Sequence, residues 1–160
     1  MRYLHYWQSP LGQLGVVASE QAVYQINFAC EVARGPVILG QVALHKEVEK
    51  QLNEYFAGRR CDFALPLRAE GTEFQQAVWQ ALQELSYGQT VSYGELAAQI
   101  GRPKACRAVG GALHTNPLAI VIPCHRVVGK DGSLTGFGGG LQVKRFLLDL
   151  ERRYQGNFGL

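Results

Sequence analysis

The sequence predicts an α+β protein of two consecutive domains, a small one led by strands and a mostly helical one. Three observations predict it. Residues 2–28 alternate and break in the manner of short strands, whereas from residue 72 apolar positions recur every three to four residues. Two capping boxes, Thr72 with Gln75 and Ser92 with Glu95, fall in the second part. Charge divides as well. Residues 1–100 hold 7 Lys and Arg against 10 Asp and Glu, a net of −3; residues 101–160 hold 9 against 3, a net of +6. Arg68-Ala69-Glu70-Gly71 marks the boundary, giving domains over 1–68 and 72–160.

In the first domain Tyr3, His5 and Trp7 alternate with Leu4 and Tyr6, and Ser9-Pro10-Leu11-Gly12 reads as a turn. Leu14–Ala18 and Val23–Phe28 follow as strands, joined tightly by Ser19-Glu20-Gln21. Residues 30–41 carry no clear pattern. Val42–Phe56 predicts an amphipathic helix with Leu44, Val48, Leu52, Tyr55 and Phe56 on one stripe, ended by Gly58. Cys61–Leu67 is expected as a last edge strand. No carboxylate cluster is legible here, and the domain is expected to be structural.

In the second domain Thr72 opens a helix with Phe74, Ala77, Val78, Ala81, Leu82 and Leu85 on its apolar face, stopped by Gly88. Ser92 opens a short helix through Ile100, with Leu96, Ala97 and Ile100 inward. Gly101-Arg102-Pro103 turns the chain, and Pro103 suits the first position of a helix over Lys104–Leu113. Two short helices so joined describe a helix-turn-helix. Ala105, Cys106, Ala108, Gly110, Gly111 and Ala112 are all small, and Arg107 stands tall among them. Such a helix has little with which to read base edges in a major groove, but its backbone can approach a phosphate or a narrow groove closely. Val127–Thr135 predicts a hairpin or wing around Asp131-Gly132. Gly136–Gly140 is a loop free to fold over a ligand. Leu141–Leu150 predicts a last amphipathic helix with Leu141, Phe146, Leu147 and Leu150 apolar, Lys144 and Arg145 charged, and Glu151 at its end.

The chemistry concentrates in Ile120-Val121-Ile122-Pro123-Cys124-His125-Arg126-Val127-Val128. Three β-branched residues predict a buried extended segment. Pro123 holds its predecessor extended and cannot continue a ladder, so the chain should bend at Cys124. A thiol is a nucleophile only as thiolate, and a neighbouring imidazole can supply the base. In a flat strand His125 would point away from Cys124. A bend or a bridging water is therefore required. On this pair alone a buried structural cysteine explains the residues equally well.

No apolar run has transmembrane length, and Met1–Trp7 lacks the apolar core of a signal peptide. Cys30, Cys61, Cys106 and Cys124 show no C-x-x-C spacing, which fits reduced thiols in the cytoplasm. A zinc site assembled from Cys30, Cys61, His5 and His45 would match no finger or ribbon spacing, so no metal is expected. The basic second part suits a polyanion, with ordinary surface solvation as the alternative.

Pro123-Cys124-His125-Arg126-Val127, preceded by Arg107-Ala108-Val109-Gly110-Gly111-Ala112 and by Asn116-Pro117, resembles the O6-alkylguanine-DNA alkyltransferases, also called methylated-DNA–protein-cysteine methyltransferases. The resemblance is close over residues 72–151 and loose over 1–66. It implies a ribonuclease-H-like sheet with a helix, then a winged helix-turn-helix. It implies DNA repair by direct, irreversible transfer of an alkyl group from O6-alkylguanine, and from O4-alkylthymine, to Cys124, in a single turnover with nucleotide flipping. His125 would be the base acting through a water, and Glu151 the carboxylate that orients it. Asn116 would fix the active-site turn, and Tyr93 would protonate the departing guanine. Arg107 would fill the gap left by the flipped nucleotide, with Lys104, Ser92, Ala108 and Gly110 also at the DNA. Val127, Phe137, Gly138 and Gly139 would form the pocket for the alkylated base. Phe137 stands where many relatives have tyrosine and Gly138 where some have serine, so one hydroxyl contact is missing from that loop. The implied partner is double-stranded DNA, bound through its minor groove with low sequence specificity by a cytoplasmic monomer without cofactor or membrane. Relatives that bind lesions without repairing them lack the cysteine. A winged-helix regulator leaves Cys124, His125 and Tyr93 unexplained, and a cysteine hydrolase would need an oxyanion hole and turnover.

Overall fold

The computed structural model describes residues 1–160 and divides them into two units. The first comprises Met1–Glu70 with Pro117–Ala119, the second Gly71–Asn116 with Ile120–Leu160.

In the first unit β1 (Tyr3–Ser9) and β2 (Gly12–Ala18) form an antiparallel hairpin. Its turn closes on Ser9, whose Oγ accepts from the Leu11 N–H at 3.0 Å and donates to the Gly12 carbonyl at 2.7 Å. Gly12 sits at φ 94°, a conformation open to glycine. β3 (Val23–Phe28) pairs antiparallel with β2, and β4 (Ile38–Leu39), from the unpatterned stretch, pairs parallel with β1. The sheet order is β3-β2-β1-β4. α1 (Ala43–Phe56) buries Val48, Leu52 and Tyr55 as expected, but also His45 and Gln51, while Leu44 is only half-buried. The polar pair is tolerated inside because each side chain is satisfied. His45 Nδ1 accepts from the Val42 N–H, and its Nε2 lies 3.1 Å from the carbonyls of Tyr3 and Val16. Gln51 exchanges two hydrogen bonds with the main chain of Ala64.

The edge strand expected over Cys61–Leu67 does not form; only Leu67 bridges Val23. Pro66 has no N–H with which to extend a ladder. Its carbonyl accepts from Val23 at 2.8 Å, and the pairing ends with the Arg68 N–H on the Val23 carbonyl. Leu118 bridges Ile26, so Pro117–Ala119 joins this sheet.

In the second unit α2 (Glu73–Gln83) starts on the Thr72–Gln75 capping box. Its buried residues are Val78, Trp79, Ala81 and Leu82; Ala77 is exposed. The face turns towards Trp79 because its indole N–H finds the Ala112 carbonyl at 2.9 Å. β5 (Val91–Ser92) leads into α3 (Tyr93–Gln99), capped by the Ser92–Glu95 box. α4 (Cys106–His114) begins later than Pro103 suggests. Pro103 and Lys104 lie in a turn closed by the Ala105 N–H on the Arg102 carbonyl at 2.9 Å.

β6 (Val127–Val128) does not fold back as a hairpin; it pairs parallel with β5. The Asp131 carboxylate accepts from the Ser133 N–H and the Gly129 N–H donates to the Ser133 carbonyl, so the turn closes on itself and no return strand follows. α5 (Leu141–Tyr154) runs one turn past its predicted end, so Glu151 lies inside it. It buries Lys144, Leu147, Leu148, Leu150 and Glu151 and leaves Leu141 and Phe146 exposed. Residues 144, 147, 148 and 151 share one helical face, and that face carries the charges inward. No helix is long and apolar enough to cross a membrane.

Candidate active site

The bend expected at Cys124 is one turn of 3₁₀ helix, Cys124–Arg126. Successive side chains in such a turn are about 120° apart, so His125 is not thrown to the face opposite Cys124 as a strand would throw it. The residues before the bend are not extended, contrary to the sequence pattern. They turn, and Ile120 takes φ 72° while almost fully buried. A β-branched residue in that region costs on the order of 1–3 kcal/mol and persists only where its surroundings hold it. Asn116, just beyond α4, is one such hold: its Nδ2 donates to the Ile122 carbonyl at 2.8 Å. The Cys124 N–H donates to the same carbonyl at 2.8 Å.

Behind the thiol lies a closed network. His125 is 0% exposed and Glu151 1%. Glu151 accepts from His125 Nε2 at 2.7 Å, from Arg126 Nε at 2.8 Å and Nη2 at 3.0 Å, and from the Gly88 N–H at 3.0 Å. Arg126 Nη1 donates to the Leu85 carbonyl at 2.9 Å. Burial alone would raise the Glu151 carboxyl, but His125 and Arg126 outweigh it and hold it well below the usual carboxylate range. Burial pushes His125 below its usual range, against the pull of Glu151. Arg126 already balances the carboxylate charge, so the imidazole is neutral at pH 7. A carboxylate only accepts, so the imidazole proton sits on Nε2 and the lone pair on Nδ1. Nδ1 is buried and has no hydrogen-bond partner in the protein. A neutral imidazole so held can take a proton from a thiol, and Glu151 stabilises the cation that results.

Cys124 lines a cavity of about 220 Å³. Tyr93, Gly110, Phe137 and Gly138 line it with the thiol. Gly136, from the loop expected to fold over a ligand, also lines it; Leu113 and His114 do so too and were not anticipated. Gly139 does not, and Val127 is fully buried in β6, where pairing with Val91 takes it into the core. Among the residues expected at DNA, Arg107 and Ala108 are exposed on α4, Lys104 is exposed in the preceding turn, and Gly110 is half-buried. The Ser92 hydroxyl accepts from the Glu95 N–H at 3.1 Å and so serves as the cap of α3. Val109 and Ala112 face inward on α4, leaving small residues outward. Lys144 is a participant the sequence pattern missed. Its side chain is 1% exposed and Nζ donates to the Thr135 carbonyl at 3.1 Å. Burial lowers its pKa, opposed by charge on Cys124, so the buried amine lies within electrostatic reach of the thiol. Its spacing of seven from Glu151 is the signal that could have found it. No group of three or more His, Cys, Asp or Glu side chains is placed to hold a metal ion.

Residues 73–153 match the 6-O-methylguanine DNA methyltransferase DNA-binding domain, and residues 1–69 match the ribonuclease-like domain of the same proteins. The chain belongs to the 6-O-methylguanine DNA methyltransferase family. It is 48% identical over 154 residues to the methylated-DNA–protein-cysteine methyltransferase of Haemophilus influenzae, covering 94% of this chain and 86% of that one. With the Methanosarcina acetivorans protein of the same name it shares 45% over 152 residues, covering 93% and 97%. The crystal structure of Mycobacterium tuberculosis OGT in complex with DNA superposes with a TM-score of 0.90 at 43% identity, covering 95% and 94% of the two chains. The protein is a DNA-repair methyltransferase that moves an alkyl group from DNA onto a cysteine.

Proposed function

We propose that Cys124 is the acceptor, taking the alkyl group directly and irreversibly from O6-alkylguanine, and from O4-alkylthymine, in double-stranded DNA. The observation that carries this reading is the thiol itself: it lines the cavity while the next residue is a buried imidazole backed by Glu151, with Nδ1 unspent. His125 takes the thiol proton through a water, and Asn116 holds the turn. The thiolate attacks the saturated carbon on O6; the S–C bond forms, the C–O bond breaks, and the electron pair passes into the guanine ring, which Tyr93 protonates. The target lies within a base stack, so it must be flipped into the cavity before the thiol can reach it. Phe137 and Gly138 cover the flipped base. Arg107 fills the vacated space, and the small outward residues Ala108 and Gly110 let α4 press into the minor groove, flanked by Lys104 and Ser92. Sequence preference is slight because this helix offers few groups to read bases. The protein works as a cytoplasmic monomer and needs neither metal nor cofactor.

The product is a thioether, which has no carbonyl for water to attack, so each molecule acts once. Incubation with excess O6-methylguanine duplex should give a plateau of at most one methyl per protein, with the mass gain on the Cys124 peptide. Cys124→Ala should take up no methyl and still bind DNA. Methyl on the alanine variant, or repair beyond that ratio, contradicts the assignment.

A further inference from the structure

Thr135 has no part in the roles assigned above, yet it holds the tyrosine on which the proposed reaction depends. It lies between β6 and α5 and is half-buried. Its main-chain carbonyl accepts from the buried Lys144 Nζ of α5 at 3.1 Å. Its hydroxyl is hydrogen-bonded to the hydroxyl of Tyr93, the first residue of α3, which lines the cavity beside Cys124. One residue is thus tied to α5 through its backbone and to α3 through its side chain. Lys144 anchors the backbone whatever side chain stands at 135, so the hydroxyl is free to serve the second contact alone.

We propose that Thr135 is a positioning residue for the transfer, its hydroxyl donating to the Tyr93 oxygen so that the phenolic proton is left to face the cavity. The inference rests on the assignment of Tyr93 as the group that protonates the departing guanine. A hydroxyl rotates to suit its partners and carries one proton and two lone pairs. Either polarity of this contact is open to it, but only one leaves the tyrosine proton available to the base. As the S–C bond forms and the C–O6 bond breaks, the bonding pair goes to the purine and the Tyr93 proton goes to a ring nitrogen. The Tyr93 oxygen becomes a phenolate, while His125 holds the proton that left the thiol, so charge balances. A hydrogen bond to a phenolate is stronger than one to a neutral phenol. The Thr135 contact therefore tightens as the reaction proceeds, and an interaction stronger in the transition state than in the ground state accelerates the step.

The test is a double-mutant cycle on the full chain, read as the single-turnover rate on methylated duplex, with DNA affinity and thermal midpoint measured beside it. Thr135→Val should slow transfer about ten- to a hundredfold, the range that a hydrogen bond to a charged group supplies, with DNA affinity unchanged. Thr135→Ser should restore the rate. In a Tyr93→Phe background the same Thr135→Val change should have no further effect, because the oxygen it serves is gone. If Thr135→Val does not fold, Thr135→Ala takes its place in the cycle, since it removes the hydroxyl without adding bulk. A Tyr93→Phe protein with undiminished transfer would overturn the assignment of Tyr93. A slow Tyr93→Phe protein that Thr135→Val slows again by its full factor, or a Thr135→Val protein with undiminished rate, would overturn the role of Thr135 alone.

Discussion

His125 and Glu151 form a buried pair whose charges are set by a third residue. Arg126 gives Glu151 two of its four hydrogen bonds and neutralises it, so the imidazole need not be protonated for the interior to stay balanced. That leaves the Nδ1 lone pair unspent, with a carboxylate beside the ring that would balance an imidazolium. The same arrangement fixes how stability responds to pH. Burial holds the folded His125 below 6.5, and the pairings hold the folded Glu151 below 4.5. For both groups the unfolded chain binds protons more readily than the folded one. Their contribution is therefore complete above pH 6.5. It is lost on acidification, first as the unfolded histidine charges below 6.5 and then as the unfolded carboxylate protonates below 4.5. Urea midpoints taken between about pH 8 and about pH 4 should be level at the alkaline end and fall towards the acid end. A midpoint that rises as the pH drops from about 7 to about 5 would show that His125 is held charged in the folded state.

At the scale of elements, α4 carries the surface proposed for DNA and the 3₁₀ turn carries Cys124. α4 buries Val109 and Ala112 and leaves Arg107 and Ala108 to solvent, so a long cation rises from a low surface. If Arg107 holds the space left by a flipped nucleotide, its benefit exists only where a base must leave a stack. Arg107→Ala should then slow repair of a methylated duplex roughly tenfold or more, since unstacking costs a few kcal/mol, and leave reaction with the free modified base nearly unchanged. Equal losses on both substrates would assign Arg107 another task. Much of this level was legible beforehand. Both capping boxes formed, because their side chains satisfy specific terminal N–H groups and so carry a local signal. The bend at Cys124 followed from Pro123 for an equally local reason. What failed depended on distant partners. Ile120–Ile122 looked extended by its β-branched residues, but turns, with Asn116 pinning the Ile122 carbonyl. The burial of His45 and Lys144 was not legible, because it depends on the carbonyls of Tyr3, Val16 and Thr135. Thr135 had no periodicity to announce it at all.

Across the whole molecule the charge is divided unevenly, and the division follows the chemistry. Residues 101–160 carry a net of +6 and include α4, Cys124 and the loop beside the cavity; residues 1–100 carry −3. In the first unit, His45 and Gln51 are occupied in holding α1 to main-chain groups, which suits a structural part. DNA binding should accordingly be governed by the basic part and depend steeply on salt. Each phosphate that a Lys or Arg neutralises releases counterions, and the logarithm of affinity falls against the logarithm of salt with a slope near −0.9 per phosphate on duplex DNA. The slope should be nearly the same for unrelated duplex sequences, because phosphate contacts carry no sequence information. Lys104 is exposed in the turn before α4. If it meets a phosphate, Lys104→Ala should weaken all sequences alike and make the slope shallower by about 1. Titrations of wild-type and variant protein over a range of salt would measure both slopes. An affinity that holds steady as salt rises would mean that the basic half does not bind DNA through its charge.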